Sequence, residues 1–430
     1  MTTIIVAGVA IAVALFVLGL VLERAHTRRR LGALIAAAPA TPPSVYPRID
    51  ATACICSGAC VQVCPEKDVL VMIAGRPRLV QPAACIGHSD CLRSCPVGAI
   101  ELVLGSAARP VEVPIASGTF ETTVPGLYVA GEIGGIGLIH NAVAQGKAAA
   151  VGALDGLGTH TCELDLVVVG SGPAGLGAAL EAKRRGVRFA VFEKGTFGGA
   201  IRAYPRQKVV MTAPMDLPGI GKLKLRRTTK EALLEMFEDV VKQAELTITE
   251  RAEVTAIARR GDGFEVEAAG RRVTARRVIL AIGRRGVLRR LEAPGAELPH
   301  VVYEVLDPTL HRGERCVVVG GGDSAVEIAL ALAAQSGTRV TLVHRSADLS
   351  RVKPDNVKLL AEAQEKRRIR VRLSTEIVRV HPDRVELSGH APVPATLVVC
   401  CLGAALPAAW LRGLGMELKA MRGEALRRVA

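Results

Sequence analysis

Seven of the eleven cysteines of this chain lie between positions 54 and 95, and they form two groups. Each group ends in the same element, a cysteine, three residues, a second cysteine and a proline, which are Cys60, Cys64 and Pro65 in the first group and Cys91, Cys95 and Pro96 in the second. Disulfides need an oxidising compartment, whereas clustered cysteines in a cytoplasmic chain are more often metal ligands or redox centres. Three thiolates on one short loop can surround a metal cluster.

The two groups resemble the tandem cysteine runs of bacterial dicluster ferredoxins. In that family three thiolates of one loop hold a cluster, and the fourth, which precedes proline, reaches across to the other cluster. The resemblance implies two 4Fe–4S clusters. It assigns to the first cluster Cys54, Cys56, Cys60 and Cys95, and to the second cluster Cys64, Cys85, His88 and Cys91.

The second ligand position departs from the family pattern in both groups. In the first group it is Ser57, and Cys56 stands one place early, so either side chain is a candidate ligand. In the second group it is His88. An imidazole in place of a thiolate removes negative charge and is expected to raise the cluster potential, as at Rieske centres. The alternative is a three-iron cluster, with Ser57 and His88 facing solvent.

Residues 4–22 contain no charged side chain, and basic residues follow from Arg24. As a helix this segment would span roughly 28 Å, about the thickness of a hydrocarbon core. Because no Lys or Arg precedes it, the charge pattern predicts that the domains after it are cytoplasmic. A signal peptide would instead carry its positive charge before the apolar run. The sequence therefore predicts a single-pass membrane protein with an anchor at 1–23 and a proline-containing linker at 24–48.

A strand pattern at 166–169 leads into a glycine turn of the form G-x-G-x-x-G, and a helix and a second strand ending at Glu193 follow. The glycines allow close approach of a pyrophosphate, the helix N-terminus stabilises its charge, and the acid binds ribose hydroxyls. The pattern resembles the FAD turn of thioredoxin-reductase-like flavoproteins. The resemblance implies FAD contacts from Gly170, Gly172, Pro173, Ala174, Gly175, Glu193, Gly198 and Gly199.

A second glycine turn follows the strand pattern at 316–319 and resembles the nicotinamide motif of the same family. The resemblance implies dinucleotide contacts from Gly320, Gly322, Asp323, Ser324 and Ala325. Arg345 stands where NAD-specific proteins place an acid, and Arg351 lies shortly after it. Two guanidinium groups suit the 2′-phosphate of NADPH, so NADP is predicted, with NAD as the alternative. The simpler interpretation of both arginines is a solvated basic loop.

The family places a segment that closes over FAD at the C-terminal end of the flavin domain. Here the matching residues, 123–135, come before the first glycine turn and precede a helical stretch at 138–153. This order predicts a circularly permuted flavin domain, in which residues 155–164 join the former ends. Gly131 and Glu132 are the expected flavin contacts, with Glu132 in place of the usual Asp. The alternative is an unrelated glycine-rich hairpin.

The predicted fold is an N-terminal transmembrane helix, an α+β dicluster ferredoxin domain and an α/β flavoprotein with two Rossmann-like dinucleotide-binding domains. The predicted boundaries are 49–105 for the ferredoxin domain, 109–295 for the FAD domain with the closing segment 109–156 first, 296–405 for the nicotinamide domain and 406–430 for a C-terminal tail.

The predicted function is a membrane-anchored FAD oxidoreductase. It would pass electrons between a nicotinamide, two iron–sulfur clusters and ferredoxin, quinone or a membrane redox protein. No catalytic side chain is required. One alternative is a reductase of a small molecule at the flavin, fed by the clusters, and another is a membrane-tethered redox sensor. The net charge of +14 favours an acidic partner or anionic lipid, the 3% aromatic content disfavours nucleic acid, and the family resemblance suggests a homodimer.

Overall fold

The computed structural model describes residues 16–19, 21–22, 29, 32, 45–66, 68–284 and 287–426. The cysteine-rich part, residues 45–105, is built on an antiparallel pair of strands, with one short helix inside each cysteine group. Its elements are β1 (Val45–Ile49), α1 (Ala59–Gln62), β2 (Leu70–Ile73), β3 (Arg76–Leu79), a 3₁₀ turn (Pro82–Ala84), α2 (Asp90–Arg93) and β4 (Ile100–Leu104).

The first dinucleotide fold, residues 111–288, has a sheet of order β13-β14-β15-β7-β8, and β6 also pairs with β15. Its elements are β5 (Val111–Pro114), β6 (Leu127–Val129), a 3₁₀ turn (Gly131–Gly134), α3 (Ile139–Leu154), β7 (Leu164–Val169), α4 (Pro173–Arg184), β8 (Phe189–Phe192), a 3₁₀ turn (Gly199–Ile201), β9 (Val209–Met211), β10 (Met215–Leu217), β11 (Gly221–Leu223), β12 (Arg227–Thr229), α5 (Lys230–Gln243), β13 (Val254–Arg260), β14 (Gly263–Ala268), β15 (Arg271–Leu280) and β16 (Val287–Leu288).

The closing segment belongs to this sheet. Strand β6 pairs in parallel with the end of β15, whose other side pairs with β7. Helix α3 crosses α4 at two glycines, because a side chain at Gly146 would collide with the backbone of Ala174, and one at Gly177 with that of Val143. The two helices therefore pack backbone to backbone over the start of α4.

The second dinucleotide fold, residues 301–405, has a parallel sheet of order β17-β24-β18-β19-β20. The valine-rich runs of its central strands are buried on both faces, as expected for a parallel sheet covered by other elements. Its elements are β17 (Val301–Val302), a 3₁₀ turn (Pro308–Leu310), β18 (Arg315–Val319), α6 (Asp323–Ala333), β19 (Arg339–Val343), α7 (Pro354–Glu365), β20 (Ile369–Arg372), β21 (Ile377–Val380), β22 (Arg384–Leu387), β23 (His390–Pro394), β24 (Leu397–Cys400) and β25 (Ala404–Ala405).

The segment expected to be a tail is folded back onto the earlier parts of the chain. It contains α8 (Ala408–Gly413), β26 (Leu418–Met421) and β27 (Glu424–Ala425). Strand β26 pairs with β5, and β27 extends the sheet of the cysteine-rich part by pairing with β4. These residues therefore join the cysteine-rich part to the first dinucleotide fold.

The predicted transmembrane anchor requires a correction. In the stretches of chain that the structure describes, no helix is both long enough and apolar enough to cross a bilayer. Most of the predicted span, residues 4–22, lies outside the described residues. The predicted membrane location with cytoplasmic catalytic domains depended on that helix, so that prediction is wrong for the same reason.

Candidate functional site

The structure brings the predicted cluster ligands together in two cavities that cross between the cysteine groups. The first cysteine cavity is lined by Cys54, Cys56, Ser57, Cys60 and, from the second group, Cys95. The second cysteine cavity is lined by Cys85, His88, Cys91 and, from the first group, Cys64. The cysteine before each proline therefore lies in the other group's cavity, as the ferredoxin resemblance predicted.

The loops reach this geometry through left-handed residues and backbone amides directed at sulfur. Gly58 and Ser89, which precede α1 and α2, have φ of 74° and 71°, so the two loops turn in the same way. The amide of Cys56 donates to the sulfur of Cys54 at 3.4 Å, and the amide of Ala99 donates to that of Cys95 at 3.2 Å. Such amides stabilise the negative charge of a thiolate.

The chemistry of these thiols fits an iron cluster. Burial raises the pKa of Cys85 to about 11 and that of Cys91 to about 12, and it also raises the pKa of Cys60 and Cys64. A buried thiolate is therefore unfavourable here unless a cation compensates its charge, which iron would do. Among the described residues, no three ligand side chains converge as they would on a single ion. A cluster spreads its ligands over several iron atoms, so its ligands need not converge.

Predicted FAD contacts lie around the glycine turn between β7 and α4. A side chain at Gly170 would lie 2.6 Å from the carbonyl of Ala281, whereas one at Gly172 would meet only the Cα of Gly199, at 4.0 Å. Gly170 is therefore needed for close packing, and Gly172 borders open space at the helix N-terminus. An anionic pyrophosphate fits that position because the first helical amides lack partners there.

Glu193 is held rigidly beside this turn. It is 8% exposed, and its carboxylate accepts hydrogen bonds from the amide of Ser171 at 2.7 Å, the hydroxyl of Ser171 at 2.9 Å and the amide of Gly195 at 2.9 Å. These bonds fix the carboxylate at the end of β8, where the sequence predicted a ribose contact. Gly198 also reaches the turn, since its amide donates to the carbonyl of Ser171 at 3.3 Å.

The closing segment brings its two predicted flavin contacts to the same edge of the sheet. The amide of Gly131 donates to the side chain of Gln145 at 2.9 Å, and a side chain at Gly131 would lie 2.9 Å from Ala174. Glu132 borders Gly283, where an added Cβ would lie 3.9 Å from its carboxylate. Gly131 and Glu132 therefore lie beside the first glycine turn although they are distant from it in sequence.

The second glycine turn shows the same division between packed and open glycines. A side chain at Gly320 would lie 2.6 Å from the carbonyl of Cys401, whereas nothing lies within 4 Å of one at Gly322, which caps α6. Asp323 accepts hydrogen bonds from the amide of Lys353 at 2.9 Å and the side chain of Asn356 at 2.8 Å. Asp323 therefore ties α6 to the start of α7. Ser324 and Ala325 follow it in the first turn of α6.

Two further arginines lie near the predicted NADPH arginines. Arg345 and Arg351 follow β19 and are exposed. Although the Arg351 side chain is exposed at the surface, partial desolvation of its guanidinium by nearby protein, followed by repulsion from Arg109, Arg289 and Arg345, lowers its pKa. In the described part of the chain, none of these four guanidinium groups has an ion pair with a carboxylate. The local pattern after β19 could not reveal Arg109 and Arg289, because they are distant in sequence.

A histidine that the sequence analysis did not single out lies behind the second cysteine cavity. The rings of His140 and His88 are stacked, with centroids 6.4 Å apart and an interplanar angle of 14°. Burial, followed by the neighbouring His88, lowers the pKa of His140 to about 4, so its ring is neutral at pH 7. Burial also lowers the pKa of His88. The sequence feature that could have pointed to His140 is its position as a polar residue among the buried alanines of α3.

Together the fold and these sites define a flavoprotein with two dinucleotide-binding folds, joined to a dicluster iron–sulfur domain. Residues 167–419, more than half of the chain, match the family described as Pyridine nucleotide-disulphide oxidoreductase, and the chain belongs to this family. Residues 46–96 match the 4Fe-4S dicluster domain. These matches confirm the two predicted resemblances and the predicted cofactors, which are FAD, NAD(P) and two 4Fe–4S clusters.

Curated relatives include proteins named Ferredoxin--NADP reductase. The one from Ignicoccus hospitalis is 33% identical over 42% of this chain and 56% of its own length. The one from Thermus thermophilus is 34% identical over 50% of this chain and 62% of its own length. The chain thus spans little more than half of these relatives. Bacillithiol disulfide reductase Bdr from Staphylococcus aureus matches 59% of this chain and 80% of its own with a TM-score of 0.54 and 24% identity, which shows the fold alone.

Proposed function

We propose that this chain is an NADPH-dependent FAD oxidoreductase that exchanges electrons with a ferredoxin-type partner through its own two clusters. The observation that carries the proposal is the contact between the second cysteine cavity and the segment expected to close over the flavin. A side chain at Gly87, in the loop of that cavity, would lie 3.8 Å from Leu138, and His88 stacks on His140. A cluster held there would be adjacent to the flavin fold.

The residues of the chain bind and orient the cofactors, and no side chain needs to act as an acid, base or nucleophile. When bound, FAD accepts a hydride from NADPH and releases electrons singly, which the clusters can carry. Gly172 and the N-terminus of α4 would hold the pyrophosphate, and Glu193 would bind the ribose. Gly131 and Glu132 would approach the flavin from the closing segment. The eight predicted cluster ligands remain proposals, with Cys56 and Ser57 as alternatives in the first cavity.

The preference for NADPH follows from charge. Arg345 and Arg351 form an exposed positive group at the end of β19, and Arg109 and Arg289 add to it. A 2′-phosphate carries close to two negative charges and would relieve their repulsion, whereas the hydroxyl of NADH would not. NADH remains the alternative nicotinamide.

A ferredoxin-type protein is the proposed external partner. The relatives from Ignicoccus and Thermus are named for ferredoxin and NADP. The net charge of +14 would attract an acidic redox protein and speed its association at low salt. The circular permutation and the predicted domain boundaries are also proposals. The parallel pairing of β6 with β15 supports the permutation, because it puts the closing segment in the sheet of the first glycine turn.

An anaerobic titration with NADPH, followed by visible absorbance and low-temperature EPR, tests this function. We expect the flavin absorbance to bleach and a reduced-cluster signal to grow with it. If the flavin bleached but no reduced-cluster EPR signal formed at any NADPH concentration, the result would contradict electron transfer from the flavin to the clusters. If a small molecule reoxidised the flavin after the clusters had been removed, the chain would instead be a flavin-site reductase.

A further inference from the structure

His140 connects two parts of the molecule that the sequence separates. It is the second residue of α3, the helix of the closing segment. Leu138, which caps this helix, lies close to the loop of the second cysteine cavity, where a Cβ added at Gly87 would be 3.8 Å from its side chain. The first turn of α3 is therefore the part of the flavin fold that lies against the second cluster site.

The ring of His140 is buried and has no hydrogen-bond partner within the described residues. It is 8% exposed, and both its Nδ1 and Nε2 are inaccessible to solvent and unpaired. Buried polar atoms in folded proteins nearly always have partners, because an unmade hydrogen bond leaves the cost of desolvation uncompensated. A partner for His140 is therefore expected from a bound cofactor or an ordered water molecule.

One face of His140 is occupied by His88. The two rings are nearly parallel, with their centroids 6.4 Å apart, and His88 is also only 8% exposed. Because His88 lines the second cysteine cavity, the ring of His140 lies directly behind a residue of that cavity. Metal-bound histidines are commonly oriented by the groups around them, most often through a hydrogen bond to the second ring nitrogen.

The other end of the same helical turn reaches the flavin site. A side chain at Gly131 would lie 3.7 Å from Ala142 and 2.9 Å from Ala174. Ala142 is two residues after His140, and Ala174 belongs to the first glycine turn. Two residues of α3, roughly 3 Å along its axis, thus separate His140 from Ala142, which lies beside Gly131 and the first glycine turn.

We propose that His140 is a positioning residue that couples the second cluster to the flavin, by holding the ring of His88 toward the cluster and by hydrogen bonding to a polar group between the two cofactors. The proposal rests on the proposed function for the order of the cofactors. It assigns to an imidazole outside the cysteine loops a role in setting the potential of the second cluster and the rate at which electrons reach that cluster.

The test compares His140→Leu with His140→Gln and with the control His160→Gln. Leucine keeps the apolar bulk and removes both ring nitrogens, whereas glutamine keeps a donor and an acceptor. His160 is a matched control, because its ring is also buried but pairs with Asp165 at 2.8 Å. Iron and flavin contents are measured first, and each cluster is then titrated with dithionite under EPR to obtain its potential and signal shape.

We expect His140→Leu to retain iron and flavin, to shift the potential and signal of the second cluster, and to slow reduction of the clusters after mixing with NADPH by roughly tenfold. Flavin reduction by NADPH should be unchanged. His140→Gln should recover part of both effects, and His160→Gln should match the wild type.

A second-cluster signal, potential and reduction rate in His140→Leu that equal those of the wild type would overturn the proposal. If His140→Leu does not fold, His140→Phe decides, because it keeps a planar ring without the two nitrogens, and wild-type behaviour of that variant would reduce His140 to a packing residue. Failure of NADPH to reduce the wild-type flavin would instead overturn the proposed function. The dithionite titration would still test the link between His140 and the second cluster.

Discussion

The two cysteine cavities are built from similar loops but have different surroundings. The first is bordered by apolar side chains at the protein surface, with Ile55 62% and Val97 44% exposed. The second contains the buried His88 and lies against the closing segment of the flavin fold. The same loop can therefore face solvent or another domain, depending on what packs against it. This difference suggests that the second cluster is the internal one and the first faces the external partner.

Removing the equivalent cysteine from each loop in turn tests the proposed difference between the two clusters with the largest expected effect. Cys60 and Cys91 occupy the same position in the two loops, and both are buried. We expect Cys91→Ala to lose the second cluster and to abolish reduction of the first by NADPH, because the internal carrier is missing. Cys60→Ala should lose the first cluster and leave the second reducible. Iron content and EPR after addition of NADPH measure both effects.

Dithionite reduction of the same two variants is the control, because it reaches each remaining cluster directly. If NADPH reduced the first cluster of Cys91→Ala as fast as in the wild type, the proposed order of the clusters would be wrong.

Replacing His88 by Cys would make the two cavities chemically alike. A thiolate adds a negative charge to the second cluster, so its potential should fall, by an amount on the order of 100 mV. EPR-monitored redox titration measures the shift, and Ser57→Ala in the first loop is the matched comparison. An unchanged potential in His88→Cys would mean that His88 does not bind the cluster.

A charge introduced at the exposed edge of the first cavity tests whether that cavity faces the external partner. Ile55→Asp should slow electron exchange with an added ferredoxin by roughly tenfold, because it places a negative charge on the surface proposed to receive an acidic partner. The rate of flavin reduction by NADPH should not change, because the flavin fold is distant in sequence from Ile55. Val378→Asp, at a 50% exposed valine of the second dinucleotide fold, is the control. Equal slowing in both variants would contradict a partner site at the first cavity.

The smallest effects are expected at the proposed NADPH site, where electrons would enter the protein. Arg351→Ala should raise the KM for NADPH by roughly tenfold and leave the KM for NADH nearly unchanged, because only NADPH has the 2′-phosphate. Arg109→Ala should act in the same direction by a few-fold, since Arg109 lies outside the nicotinamide fold. Steady-state reduction of a dye by each nicotinamide gives these values. Equal changes for both nicotinamides would exclude a role in binding the 2′-phosphate.

Features encoded in short segments were predictable from the sequence. The glycine turns could be located because close backbone contacts at Gly170 and Gly320 leave no room for a side chain. The crossed placement of Cys64 and Cys95 followed from the ferredoxin resemblance, and the cavities have that arrangement. The position of the closing segment beside β15 also agrees with its motif.

Features that depend on contacts between distant segments were not predictable. Nothing in the residues around His140 or Arg109 indicates their neighbours, which come from other parts of the chain. The pairing of β26 with β5 was missed because no motif of either resemblance was recognised after residue 405. Hydropathy and the charge pattern around residues 4–22 led to the transmembrane prediction, whereas no helix among the described residues is long and apolar enough to cross a bilayer.

The pairing of β27 with β4 has a consequence for biosynthesis. The ribosome makes β4 before both dinucleotide folds and makes β27 after them. The sheet that supports the cysteine loops therefore gains its third strand only after the nicotinamide fold has been synthesised. Until then one edge of β4 remains open to pairing with other chains. Stable cluster insertion is accordingly expected late, after translation has passed residue 425.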